Sequence, residues 1–234
     1  MKLAQIVLIS ILAAFPANAV LVECFGDSLT QSAGLSGDTP PAWPARLDVP
    51  GISLSVSNKA VGGTRIANVV AKIATDVIPD NPDLCIVWIG TNDLALDNTT
   101  LAQLKDRYTA MISAFNASAT YRRKVWYCTM APRDYGPTNE STRNNFNTWL
   151  KGLEGITVVD CDALLRDPGD TNSILPAYTI DGTHLSDSGK NVIVEEMEAR
   201  LTTDYVETCA MSPWPLVAGF MVAVGVFRKR VASR

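Results

Sequence analysis

Five short apolar runs limit what this chain can fold into. Residues 20–25, 52–57, 84–89, 124–130 and 156–161 are strand-length, and the segments between them carry apolar residues at helical spacing. One such segment has Ile66, Val69, Val70, Ile73 and Val77 on one face. Others carry Leu101, Leu104, Tyr108, Met111, Ile112 and Phe115, then Phe146, Trp149, Leu150 and Leu153, and last Val192, Ile193, Met197 and Leu201. Strands that alternate with helices give an α/β fold with a parallel sheet. Residues 84–89 are apolar throughout, as suits a central strand covered on both faces. Residues 52–57 alternate with period two, which places them nearer an edge. Pro79 and Pro82 are expected to end the second helix.

The chemistry-bearing residues stand where these runs stop. The first run ends in Phe25-Gly26-Asp27-Ser28-Leu29-Thr30, the second leads into Asn58-Lys59-Ala60-Val61-Gly62-Gly63-Thr64, and the third ends in Gly90-Thr91-Asn92-Asp93. In a doubly wound sheet the carboxyl ends of the strands face one crevice. A hydroxyl, a flexible backbone N–H and a carboxamide would therefore surround one point. Acyl transfer from an ester needs such a set: an attacking hydroxyl, and donors for the oxyanion it generates. A serine nucleophile near neutral pH also needs a base. The chain has a single histidine, His184, inside Asp181-Gly182-Thr183-His184-Leu185. Asp27 and Asp93 are read as structural carboxylates that accept backbone N–H groups within their own turns.

These four blocks, in this order, resemble the SGNH (GDSL) hydrolase family. Gly26-Asp27-Ser28-Leu29 is similar to its first block, residues 58–63 to its glycine block, Gly90-Thr91-Asn92-Asp93 to its asparagine block, and Asp181-Gly182-Thr183-His184 to its last. Trp43-Pro44-Ala45-Arg46-Leu47 stands where such enzymes often carry an aromatic-proline helix. The resemblance implies a three-layer α/β/α, flavodoxin-like fold with a central five-stranded parallel sheet. It implies Ser28 as nucleophile, His184 as general base and then acid, and Asp181 as the carboxylate that orients His184. It also implies an oxyanion hole of the Ser28 N–H, the Gly63 N–H and the Asn92 side chain, with neither metal nor organic cofactor. Gly63 is chosen over Gly62 by counting from Asn58. Trp43 and Tyr135 are expected as wall residues of the substrate crevice.

The ends of the chain read differently from its middle. Residues 1–19 resemble a secretory signal peptide: Lys2, an apolar stretch, then Ala17-Asn18-Ala19 as a small-x-small cleavage site. Residues 20–207 form the catalytic domain. Residues 208–234 hold an uncharged segment followed by Arg228-Lys229-Arg230. The apolar part, 214–227, would span about 21 Å as a helix, short of the ~30 Å hydrocarbon core. It is read as an anchor or sorting tail that touches a membrane, with a helix packed on the domain as the other reading. The domain would then be periplasmic, extracellular or on the cell surface.

Residues 20–207 hold all 24 acidic residues but only 15 of the 20 basic ones, which disfavours nucleic acid as a partner. Five cysteines match no zinc spacing, and they are read as buried thiols. The expected activity is that of a monomeric exported serine esterase. Its substrates would be small-molecule, glycan or lipid esters, such as short acyl esters, sugar acetates or lysophospholipids. The alternatives are a glycan O-acyltransferase and a non-catalytic glycan-binding module.

Overall fold

The computed structural model describes residues 19–32, 37–38, 40–118, 124–133 and 135–210, with the backbone alone for 205–210. Its strands are β1 (Val20–Gly26), β2 (Leu54–Asn58), β3 (Leu84–Trp88), β4 (Lys124–Cys128) and β5 (Thr157–Val159). They form one sheet in the order β2-β1-β3-β4-β5, with every pairing parallel. One line of register crosses all five: Asn58, Cys24, Ile86, Trp126 and Thr157. The chain leaves β1 toward β2 on one side and later returns to β3 on the other. The strand order therefore reverses between β1 and β3, and a crevice opens at their carboxyl ends.

Period-two alternation in the strands feeds two cores. On one face Val22, Cys24, Leu84, Ile86, Trp88 and Trp126 meet α7 (Cys161–Leu165), α8 (Asp187–Ala210) and a 3-10 turn at Trp43–Arg46. On the other, Phe25, Cys85, Val87 and Tyr127 meet α2 (Ile66–Lys72), α5 (Leu101–Ala117) and α6 (Pro137–Lys151). This is the three-layer α/β/α arrangement of the flavodoxin-like fold. Three short helices complete it: α1 (Ser28–Gln31), α3 (Ile78–Asp80) and α4 (Thr91–Asp97). The start of α5 is fixed by a capping box, in which Thr100 accepts from the Gln103 N–H and Gln103 accepts from the Thr100 N–H.

Three sequence expectations change. Pro79 does not end the second helix. The chain passes through a π turn at Ile73–Val77 into α3, where Pro79 lies in the first turn and its missing N–H costs nothing. Asn81, at φ 45°, stops it instead. The fifth strand is shorter than 156–161, because the Asp160 side chain accepts the Ala163 N–H and turns Cys161 into a helix. Trp43 is not a crevice wall. Its indole is fully buried in the α8-side core, and the proline turn carries it inward rather than to the sheet edge.

Charge is also buried. Arg143, with no exposed side-chain surface, bridges Glu140 on its own helix and Asp162 on α7, and Arg166 pairs with Asp162 as well. Lys190, equally buried, pairs with Asp38 in the loop after α1. Cys24, Cys128 and Cys161 are buried free thiols, and Cys85 is buried with them. Residues 1–18 and the apolar tail 214–227 lie outside the described residues. Among those described, no helix is long and apolar enough to cross a membrane.

Candidate active site

Glycine is required where β1 ends. A Cβ on Gly26 would lie 2.5 Å from Thr30 Oγ1 and 2.6 Å from the Trp88 carbonyl oxygen. Only a bare Cα lets the chain turn there from the sheet into α1. Asp27 caps that helix, its Oδ1 accepting the Leu29 N–H at 3.0 Å. Ser28 is thus the first residue of a helical turn standing on the carboxyl end of β1. Burial pushes the Asp27 carboxyl up to about 6, while the Leu29 N–H and the charges of His184 and Arg133 pull it down.

The glycine block is stitched to this turn. Asn58 Oδ1 accepts the Ala60 N–H, and its Nδ2 donates to the Thr30 carbonyl. The Val61 N–H and the Thr64 hydroxyl both reach the Gly26 carbonyl. The Thr64 N–H returns to the Val61 carbonyl, which closes a four-residue turn. Gly63 occupies its third position with φ +77°, the value a type II turn demands there and L side chains resist. The Gly63 N–H belongs to the central peptide of the turn, which the turn's own hydrogen bond leaves unused. No described residue lies within 4 Å of a Cβ placed on Gly63, so this side of the turn is open.

Asn92 follows β3 in the first turn of α4 and is 8% exposed. One hydrogen of its amide goes to the Thr64 carbonyl at 3.0 Å, which ties the asparagine turn to the glycine turn and leaves the other hydrogen for a ligand. Asp93 is buried and structural, as its sequence context suggests. It accepts the Ile66 N–H at 3.0 Å and pairs with Arg107 at 2.7 Å.

The last block arrives from the opposite end of the chain. The Ile180 N–H and Thr179 hydroxyl both donate to the His184 carbonyl. Asp181 Oδ1 accepts the His184 and Thr183 N–H groups at 2.7 and 2.9 Å. That leaves Asp181 Oδ2 2.7 Å from His184 Nδ1, and His184 Nε2 lies 2.9 Å from Ser28 Oγ. Burial raises the Asp181 carboxyl, but the hydrogen bonds from His184 and Thr183 outweigh it and hold the group below the usual carboxylate range. An ionised Asp181 fixes the tautomer with hydrogen on Nδ1, so that Nε2 is free to accept the serine proton.

Of the expected site residues, Ser28, His184 and Asp181 form one hydrogen-bonded line, while Asn92 is tied to the turn that holds Gly63, and that turn to the helix of Ser28. Tyr135 is half-buried beside the asparagine turn. Its hydroxyl donates to Thr91 Oγ1 at 3.3 Å, and the Arg133 guanidinium lies 5.2 Å from its ring. The sequence reading missed three supporting residues. Gln31 accepts the Gly62 N–H at 2.6 Å, and its position one helical turn after Ser28 was the available signal. Thr64 holds the turn as described. Arg46 reaches Asp187 and Asn191 at the start of α8, which follows His184 in the chain, a tie that no local pattern reveals. Among the described residues, no group of three His, Cys, Asp or Glu could hold a metal ion.

Comparison with known proteins gives the family and supports the fold. Residues 24–192 match the GDSL-like lipase/acylhydrolase family. No curated protein matches the chain. Among solved structures, a GDSL-like lipase from Bacteroides thetaiotaomicron superposes with a TM-score of 0.62 at 17% identity, over 79% of this chain and 89% of its own. TesA gives 0.61 at 22% identity over 78% and 98%, and the acetyl xylan esterase AlAXEase gives 0.61 at 21% over 78% and 100%. At these identities the superpositions establish the fold, and the family match covers most of the sequence. The chain belongs to the GDSL-like lipase/acylhydrolase family.

Proposed function

We propose that this protein is an exported serine esterase that hydrolyses carboxylic esters through an acyl-serine intermediate. The observation that carries the reading is the line Ser28 Oγ, His184 Nε2, His184 Nδ1, Asp181 Oδ2, with contacts of 2.9 and 2.7 Å, beside an open type II turn and a carboxamide. His184 takes the Ser28 proton as Oγ attacks the ester carbonyl. The oxyanion is received by the N–H groups of Ser28 and Gly63 and by the free Asn92 amide hydrogen. His184 then protonates the departing alcohol, and water repeats the sequence on the acyl-serine. Small-molecule, sugar or lipid esters are the substrate class; Tyr135 and the segments 31–42, 131–145 and 167–180, the second of which enters α6 at Pro137, would select among them. Export is supported by the pattern of residues 1–19.

The test is covalent. A fluorophosphonate probe should label the protein on the peptide that holds Ser28 and on no other serine. Labelling elsewhere, or none in a folded sample, would refute the assignment. Cell fractionation with and without residues 208–234 tests the tail as an anchor.

A further inference from the structure

Two contacts, from the Val61 N–H and the Thr64 hydroxyl to the Gly26 carbonyl, hold the glycine turn to the sheet, and one side chain reaches it from the helix that carries the nucleophile. Gln31 closes α1, one turn after Ser28, and its Oε1 accepts the Gly62 N–H at 2.6 Å. The carboxamide oxygen also packs against Gly62, lying 2.9 Å from where a Cβ would stand on it, with Ser28 Cβ 3.7 Å from the same point. So Gln31, Gly62 and Ser28 converge on one small volume.

We propose that Gln31 is a positioning residue of the oxyanion hole, a role that rests on the serine-esterase reading above. Two adjacent N–H groups could face the developing negative charge. Gln31 consumes the first, that of Gly62, and pins the Val61–Gly62 peptide. The next peptide, between Gly62 and Gly63, is then held in one orientation by the Gln31 contact on one side and the Thr64 closure on the other. The Gly63 N–H is left as the donor. Because Gln31 and Ser28 share one helical turn, the attacking oxygen and the receiving N–H keep a fixed separation. Preorganised donors lower the barrier because they need not reorient when charge appears. Without Gln31 the Gly62–Gly63 segment can rotate about two glycine backbones, whose freedom is the largest of any residue.

Gln31→Met keeps the length of the side chain and removes the acceptor. The first readout is amide hydrogen exchange at Gly62, which should be protected in the wild type and at least about tenfold faster in the variant. The second is steady-state hydrolysis of p-nitrophenyl acetate per fluorophosphonate-titrated site. kcat should fall about tenfold or more, part of the ~10²–10³ that loss of a whole donor costs, while KM stays within about twofold. The third is a cycle with Gly63→Ala, which strains the turn. If Gln31 acts through the Gly63 N–H, the double variant should be no slower than Gly63→Ala alone. Equal Gly62 exchange in both proteins, an unchanged kcat, or additive losses in the cycle would each overturn the role of Gln31. A folded wild type that hydrolyses no ester would instead overturn the esterase reading beneath it.

Discussion

Ser28 and His184 are 156 positions apart in the chain, yet Ser28 Oγ and His184 Nε2 are 2.9 Å apart. The parallel sheet makes this possible. β1 delivers the serine to its carboxyl edge at the point where strand order reverses, and the antiparallel bridge Thr179–Leu185 brings the histidine turn back over the same edge just before α8. The imidazole then has a hydroxyl on one nitrogen and a carboxylate on the other. His184 is the single histidine of the chain, so an imidazole base can come from no other position.

Asp181→Asn should leave the fold intact and slow turnover by about 10²-fold or more. The amide can present its NH₂ to Nδ1 and so favour the tautomer with hydrogen on Nε2, which cannot accept the Ser28 proton. The check is kcat for p-nitrophenyl acetate, with unchanged circular dichroism as the control for folding.

Asn92→Ala should lower kcat by about 10²–10³, or roughly 3–4 kcal/mol of barrier, with a much smaller change in KM. The variant loses the proposed oxyanion donor and also the hydrogen bond to the Thr64 carbonyl. Inhibition by an alkylboronic acid, which mimics the tetrahedral intermediate, should weaken by a similar factor.

The fully buried Asp27 gives a signed dependence of stability on pH. In the unfolded chain an aspartate titrates near ~3.9, and in the folded protein Asp27 is pushed up to about 6. Between those values the native state holds more protons, so this group's contribution is full below about 4 and is lost as pH rises through about 6. Asp27→Asn keeps the acceptor for the Leu29 N–H and removes the charge. Urea unfolding should show the variant gaining on the wild type by about 2–3 kcal/mol between pH 4 and pH 7.

Arg143→Met should destabilise the protein by about 3–5 kcal/mol, because it leaves the buried Glu140 and Asp162 carboxylates without their shared cation. The shift is read from the urea midpoint at neutral pH. Arg166 retains its own pairing to Asp162, so the loss should be shared unequally, with Glu140→Gln partly rescuing the variant.

Much of this was legible in the residues. Alternation of strand and helix gave an α/β fold with a parallel sheet, the strand ends located Ser28, the Gly62-Gly63 pair and Asn92, and the resemblance to the family implied the three layers and the choice of Gly63. Asp27 and Asp93 are both structural carboxylates, but only Asp27 accepts an N–H of its own turn; Asp93 accepts that of Ile66 at the start of α2. What the sequence hid was of two kinds. Pro79 and Cys161 were misread because local rules competed: a π turn absorbed the proline, and the Asp160 cap overrode the β tendency of its neighbour. Trp43 was misread and Gln31 was missed because direction in three dimensions decides their roles. A tryptophan before a proline can point to solvent or to the core, and only the packing of α8 buries it. A glutamine after a nucleophile looks like surface until the glycine turn is brought against it.

The most direct measurement is the rate of p-nitrophenyl acetate hydrolysis by the purified domain and by its Ser28→Ala variant under identical conditions. The account predicts saturable turnover by the wild type and a loss of at least about 10³-fold in kcat for the variant, with an unchanged unfolding midpoint. Equal rates in the two proteins would contradict it.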